Sequence, residues 1–338
     1  MSWTRWGTAI LAVLGAAAIV GLGPAAPAQP TDTGAALLDA ARTADAHQTY
    51  AGTLTVDWRD HGHLLERHAA ARVVDGVVEV DTGNEQVLSE GGQRWVGSGG
   101  RWSLVLGPDT GTPAAPRPDA HWDLRTVPGP DVAGQPTTLV VAADPRTGSE
   151  RARYFIDRSS GRLLRRDVLG ASGEVEREVT FDQLVPLAAT TRPLEPARAD
   201  VKKPTRVAAT PSGYSVRGAL GRGYRLLGRY RQPDGTLQLY YGDGLFTLSL
   251  FEQRGAIDWG SLPAGSEQMV HGVPTRRYDT PTGTAVVWAA HGVVVTCVGD
   301  APPDQLMLAV HDVVGGGATS SVLQDIAHFV LGPFGWNS

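Results

Sequence analysis

Apolar and polar residues alternate with period two through most of the chain, and the helical period replaces this at three places. The clearest alternation runs from Thr137 to Phe181. Thr137–Ala143, Arg151–Ile156, Leu163–Leu169 and Val175–Phe181 are separated by Asp144–Ser149, Ser159–Gly161 and Gly170–Gly173, where Pro and Gly supply turn chemistry. Ala152, Tyr154 and Ile156 share one face. Val175, Arg177, Val179 and Phe181 share a face opposite Glu176, Glu178 and Thr180. The pattern predicts an antiparallel meander with one apolar face and one solvated face, the latter carrying Arg151, Arg153, Glu176 and Glu178.

Upstream, Ala36, Leu37, Ala40, Ala41 and Ala44 fall at helix spacing between Thr31 and about Thr49, with Asp32 or Thr33 as the cap. Strands are predicted over Tyr50–Trp58, over Arg67–Val80 with a break at Asp75-Gly76, and over Gln86–Leu88, Gln93–Val96 and Arg101–Leu106. Gly107–Gly134 is rich in Pro, Gly and Asp and predicts little regular structure. Leu187–Thr210 has the composition of a linker, so a domain boundary is expected there.

Beyond it, strands are predicted at Gly223–Arg231, Leu237–Tyr241, Leu245–Phe251, Val270–Tyr278, Thr284–Ala289 and Val293–Val298. Gly242-Asp243-Gly244 marks a hairpin. A helix over Pro303–Val314 follows. After Gly315–Gly317 comes another, with Ser321 and Gln324 as a capping box.

With 338 residues there is room for two domains. A net charge of −5, with lysine only at Lys202 and Lys203, argues against a nucleic-acid partner. Arg5, the apolar run Gly7–Gly23 and Ala26-Pro27-Ala28 have the layout of a signal peptide over 1–28, or of an anchor if uncleaved. Either implies export, with membrane contact only through a retained leader. Cys297 is the only cysteine, so no internal disulfide can form, and its apolar surroundings predict a core position.

Candidate chemistry is sparse. His61, His63, Glu66 and His68 cluster, but they sit at a predicted hairpin tip without a second ligand pair, so no metal or cofactor is expected. No nucleophile elbow, zinc-protease or phosphate-loop motif occurs, and the chain is read as not an enzyme. Trp58, Trp95, Trp102 and Trp122 are compatible with ordinary core packing or with an apolar groove for an acyl chain or peptide.

Three passages resemble the MucB/RseB family of envelope proteins that regulate a membrane-bound anti-sigma factor. They are Ala36–Ala41 leading into Tyr50–Val56; the meander Arg151–Phe181; and Leu239-Tyr-Tyr-Gly-Asp-Gly-Leu-Phe-Thr-Leu-Ser-Leu250 with the exit Val293–Gly299 and Pro302-Pro303. The insert after Gly107 and the helix after Val314 have no counterpart in that resemblance. It implies an α+β protein. A curved antiparallel, lipoprotein-carrier-like sheet over helices spans 31–186. A linker covers 187–210, a smaller antiparallel sheet plus helix 211–314, and a Gly-linked helix 315–338. It also implies a periplasmic or cell-envelope regulator that binds the extracytoplasmic segment of an anti-sigma factor and senses a lipid or misfolded-protein ligand. The cavity would be lined by Leu54, Val56, Trp58, Trp95, Trp102, Tyr154 and Ile156. The partner would meet Tyr241, Asp243, Gly244 and Phe246. The alternative is a lipid or lipoprotein carrier.

Overall fold

The computed structural model describes residues 33–74, 76–83, 86–90, 93–98, 101–105, 116–187, 204–208, 216–221 and 223–316. The leader, most of the linker and the C-terminal helix expected over 315–338 lie outside these residues. No helix among the described residues is long and apolar enough to cross a membrane.

The first helix, α1 (Gly34–His47), begins where Thr33 accepts the Ala36 N–H at 3.4 Å, which settles the cap in favour of Thr33. Eleven strands follow: β1 (Tyr50–Asp60), β2 (His63–Val74), β3 (Val77–Asp81), β4 (Gln86–Glu90), β5 (Gln93–Ser98), β6 (Arg101–Val105), β7 (Asp123–Pro128), β8 (Thr137–Ala143), β9 (Glu150–Asp157), β10 (Leu163–Leu169) and β11 (Val175–Pro186). They form one antiparallel sheet in the order β6-β5-β4-β3-β2-β1-β11-β10-β9-β8-β7. The first and last strands of this unit, β1 and β11, therefore pair at its centre.

Strand β7 corrects an expectation. The Pro-rich stretch before Gly134 contains a six-residue strand that pairs with β8 from Asp123↔Ala143 to Pro128↔Thr138. It lies at the sheet edge, where a proline deprives no neighbouring strand of a hydrogen bond.

Nine strands make the second antiparallel sheet: β12 (Thr205–Arg206), β13 (Ala219–Leu220), β14 (Tyr224–Arg231), β15 (Leu237–Gly242), β16 (Thr247–Arg254), β17 (Ser266–Val270), β18 (Val273–Thr280), β19 (Gly283–Ala290) and β20 (Val293–Gly299). The strand expected over Val270–Tyr278 is in fact the β17–β18 hairpin, turned at His271-Gly272. His61-Gly62 and His291-Gly292 make equivalent two-residue turns, and all six residues have positive φ. This is the type I′ geometry that matches strand twist, with histidine in a role more often taken by Asn or Asp. The final helix, α2 (Pro303–Gly316), buries Leu306, Ala309 and Val310 against this sheet.

One apolar cluster runs without interruption from the first sheet to the second. It joins Leu38 and Ala41 of α1, Val140, Ala152, Tyr154 and Ile156 of the first sheet, and Leu239, Phe246, Leu250 and Trp288 of the second. Gly34 admits the helix to this position, since a Cβ there would lie 2.9 Å from Leu124 Cβ and 3.1 Å from Val140. A separate cluster under β1–β4 contains Tyr50, Leu54, Val56, Val80 and Phe181.

Candidate functional site

The structure's main concentration of buried charge lies at the seam between the sheets. Its first-sheet contribution comes from inward positions of the meander. Arg166 and Arg177 occupy strand faces otherwise filled by Tyr154, Val168 and Val179, and both are nearly inaccessible to solvent. Asp300, just past β20, meets them. Arg166 Nη1 donates to Asp300 Oδ2 at 2.9 Å, and Arg177 Nη1 donates to the Asp300 carbonyl at 3.2 Å. Asp300 Oδ1 accepts the Thr247 N–H at 2.7 Å, which ties the same carboxylate to the start of β16. The Arg166 guanidinium also faces the rings of Tyr154 at 5.6 Å and Phe246 at 5.3 Å, one from each sheet.

The β15–β16 turn enters the same seam. It is a four-residue connection, Asp243–Phe246, between Gly242 and Thr247, rather than the two-residue turn that Asp-Gly suggests. Asp243 Oδ1 accepts the N–H groups of Leu245 at 2.9 Å and Phe246 at 2.7 Å, closing an Asx-type turn. Gly244 has φ +101°, and a Cβ there would stand 2.5 Å from the Pro116 carbonyl oxygen. Its own carbonyl accepts from Arg42 Nη2 of α1 at 2.9 Å. Trp122 packs edge-on against Phe246, with centroids 5.5 Å apart. At the rim, Arg151 of β9 pairs with Asp304 in the first turn of α2. Arg151 is buried, correcting its expected place on a solvated face; Arg153, Glu176 and Glu178 are half-buried.

Burial governs the charge states here. It pushes the Asp243 carboxyl up to about 7, against the pull of the two backbone donors. It lowers Arg177 to about 10, with Asp300 opposing the shift. Burial works against the charge of Arg166 as well, but Tyr154 and Asp300 hold that guanidinium above its ordinary range. Arg166 therefore stays charged, while Asp243 changes charge near neutrality.

The expected partner residues Tyr241, Asp243, Gly244 and Phe246 are brought together, but all four are buried. Tyr241 donates to the Arg217 carbonyl at 2.9 Å, and the other three face the first sheet. The turn is packed against the chain's own α1 and Pro116–Trp122 segment.

The expected cavity set is also divided. Leu54 and Val56 belong to the cluster under β1–β4, whereas Tyr154 and Ile156 belong to the seam cluster. Trp58 lies toward the far end of β1, with Arg67 over its ring at 5.8 Å. Trp95 and Trp102 occupy β5 and β6, opposite Leu104 and Gly97; their side chains lie outside the described residues. A groove of about 330 Å³ lies over β1–β4, where Ala51, Gly52, Ala70 and Ala71 leave the sheet surface low beside the Arg72–Glu79 ion pair.

Among the described residues, no group of three metal-ligating side chains is placed to hold an ion. His61 pairs with Asp60, and His68 with Glu66. Cys297 is fully buried, and burial raises its thiol pKa. Sequence reasoning passed over Arg42, Arg166 and Asp300. The available signal was arginine in an inward strand series, as at Arg177 between Val175 and Val179.

No protein-family model matches the chain, and neither does any curated protein. Among solved structures it is similar to MucB, at 22% identity and TM-score 0.45, covering 85% of this chain and 98% of that one. It is also similar to the Pseudomonas aeruginosa MucA/MucB complex, at 21% identity and TM-score 0.44, covering 82% of this chain and 96% of that one. A LolA superfamily protein from Nitrosomonas europaea matches at 8% identity and TM-score 0.21, covering 79% and 91%. By its own elements the chain is an α+β protein of two antiparallel sheets and two described α-helices.

Proposed function

We propose that the protein is an exported, non-catalytic regulator of envelope-stress transcription that binds the extracytoplasmic segment of an anti-sigma factor. In this reading residues 1–28 are a leader, 31–186 and 211–314 are the two working units, and 187–210 link them. The observation that carries the proposal is the position of the segment with the most specific family resemblance. Leu239–Leu250 forms the β15–β16 hairpin, whose turn is locked against α1 and the first sheet by Arg42, Trp122 and Arg166. A buried charged joint between two units suits a protein that reports binding on one unit to the other. MucB has been solved with MucA, and the proposal gives this chain a partner of the same kind.

Regulation would follow from linkage: an apolar ligand that prefers the partner-free arrangement lowers partner affinity by the same factor that the partner lowers its own. The seam turn then takes part in partner binding only when the seam opens. Binding of the purified protein to synthetic extracytoplasmic tails of membrane anti-sigma factors tests the reading, and failure to bind any of them refutes it. The groove over β1–β4 favours one second reading, a carrier of lipid or lipoprotein. Mass spectrometry of protein purified under native conditions would show a stoichiometric lipid in that case.

A further inference from the structure

The second sheet is covered by α2 on one face and partly open on the other. Trp288, Val295 and Cys297 point toward α2, whose Leu306, Ala309 and Val310 join them in the main cluster. Gln268 of β17 reaches the same side, its amide 3.2 Å from the Met307 sulfur of α2. Strand alternation therefore turns Glu267 and Met269 the other way. That opposite face carries the cross-strand pairs Arg276–Val287 and Ala289–Val294. Arg276 holds the 255–265 connection over its own part of the face, donating to the carbonyls of Trp259, Leu262 and Pro263. Nearer the β17–β18 turn the face stays open. Met269, at 65%, is the most exposed of the large apolar side chains described, its strand partner Pro274 is exposed, and Ala289 and Val294 are half-buried.

We propose that residues 321–331 dock on this open face as a helix, with their apolar side against Met269, Pro274, Ala289 and Val294. The segment lies outside the described residues, and its sequence calls for cover. Val322, Leu323, Ile326, Phe329 and Val330 fall on one side of a helix that Ser321 and Gln324 cap and Gly332-Pro333 ends. So short a helix is marginal alone and forms by packing its stripe. Position selects the site. Helix α2 ends at Gly316, and a Cβ on Gly315 would stand 3.0 Å from His271 Nε2, so the chain leaves α2 beside the β17–β18 turn. Residues 317–320 reach at most about 14 Å. That carries Ser321 around the turn to Met269 and Pro274, the second strand pair back from it. The outer stripe of α2 is a poorer seat, since Asp304 and His311 flank Leu308 there. A membrane surface is disfavoured as well. Interfacial helices carry Lys or Arg on the polar side, and Asp325 is the only Asp, Glu, Lys or Arg after Asp312. This inference does not depend on the proposed partner.

Thiol accessibility in the full chain tests it. Cys297 is the only native cysteine and is buried, so Met269→Cys introduces a single accessible thiol, as does Leu64→Cys on the first sheet, the remote control. Each is combined with the native segment and with the double change Ile326→Asp/Phe329→Asp, and reaction with a chromogenic disulfide reagent is timed. The double change should speed reaction at Met269→Cys at least about tenfold, the loss of protection expected when a covering element is released. Leu64→Cys should react at one rate in both backgrounds. Equal rates at Met269→Cys leave this face to another occupant and overturn the proposal. An equal acceleration at Leu64→Cys also overturns it, because the double change then acts on the whole fold rather than on this face.

Discussion

Asp243 shows how much one side chain can set at the seam. In the unfolded chain its carboxyl titrates near 3.8, while burial raises it to about 7 in the folded protein. Between those values the folded state holds a proton that the unfolded chain has released. The stabilisation is complete below the unfolded value and is lost as pH rises through the folded one. The melting temperature should therefore fall between pH 5 and pH 8. Asp243→Asn, which keeps an oxygen for the Leu245 and Phe246 N–H groups, should remove that slope; thermal melts of both proteins across the range check this. Arg166 has the opposite character, being charged at every accessible pH. Arg166→Met should cost about 3–5 kcal/mol in chemical denaturation, because the buried Asp300 carboxylate would lose its ion-paired hydrogen bond.

At the level of elements, the β15–β16 hairpin depends on Gly244 for two independent reasons, positive φ and the nearby Pro116 carbonyl. Gly244→Ala should destabilise by roughly 1–3 kcal/mol, read as a lowered denaturant midpoint with an unchanged far-ultraviolet spectrum.

Much of this level was legible from residues alone. The meander, the Asp75-Gly76 break, the Thr33 cap and the α2 entry at Pro303 all follow from local periodicity and turn chemistry. Strand β7 was hidden because an edge strand tolerates the proline and acidic residues that elsewhere mark a loop. The β17–β18 turn was hidden because histidine seldom adopts positive φ. The site was less legible than the fold. Asp-Gly announced a turn but not its direction, and only the packing of α1 and Pro116–Trp122 makes it an internal joint. Of the residues expected in one cavity, Leu54 and Val56 pack in the cluster under β1–β4 and Tyr154 and Ile156 in the seam cluster, a division that strand periodicity alone does not reveal.

For the molecule as a whole, the continuous cluster from α1 through both sheets predicts that the described units unfold together. Leu38, fully buried where α1 meets the seam, is the place to test this. Leu38→Ala should cost roughly 2–5 kcal/mol. Hydrogen exchange should show protection in β8–β9 and in β15–β16 falling by similar factors; loss confined to the first sheet would mean that the units are energetically independent.

The central pairing of β1 with β11 has a kinetic consequence. Every other neighbouring pair in the first sheet, from β6–β5 to β8–β7, joins strands adjacent in sequence. Each half is therefore a local meander able to form early, and only β1–β11 requires closure across more than a hundred residues of chain. Folding should wait on that closure. Val179→Ala, at the β1–β11 contact opposite Val56, should slow refolding, whereas Val141→Ala within the β8–β9 hairpin should mainly speed unfolding. Stopped-flow chevrons of the two variants would locate the closing step of the sheet in time.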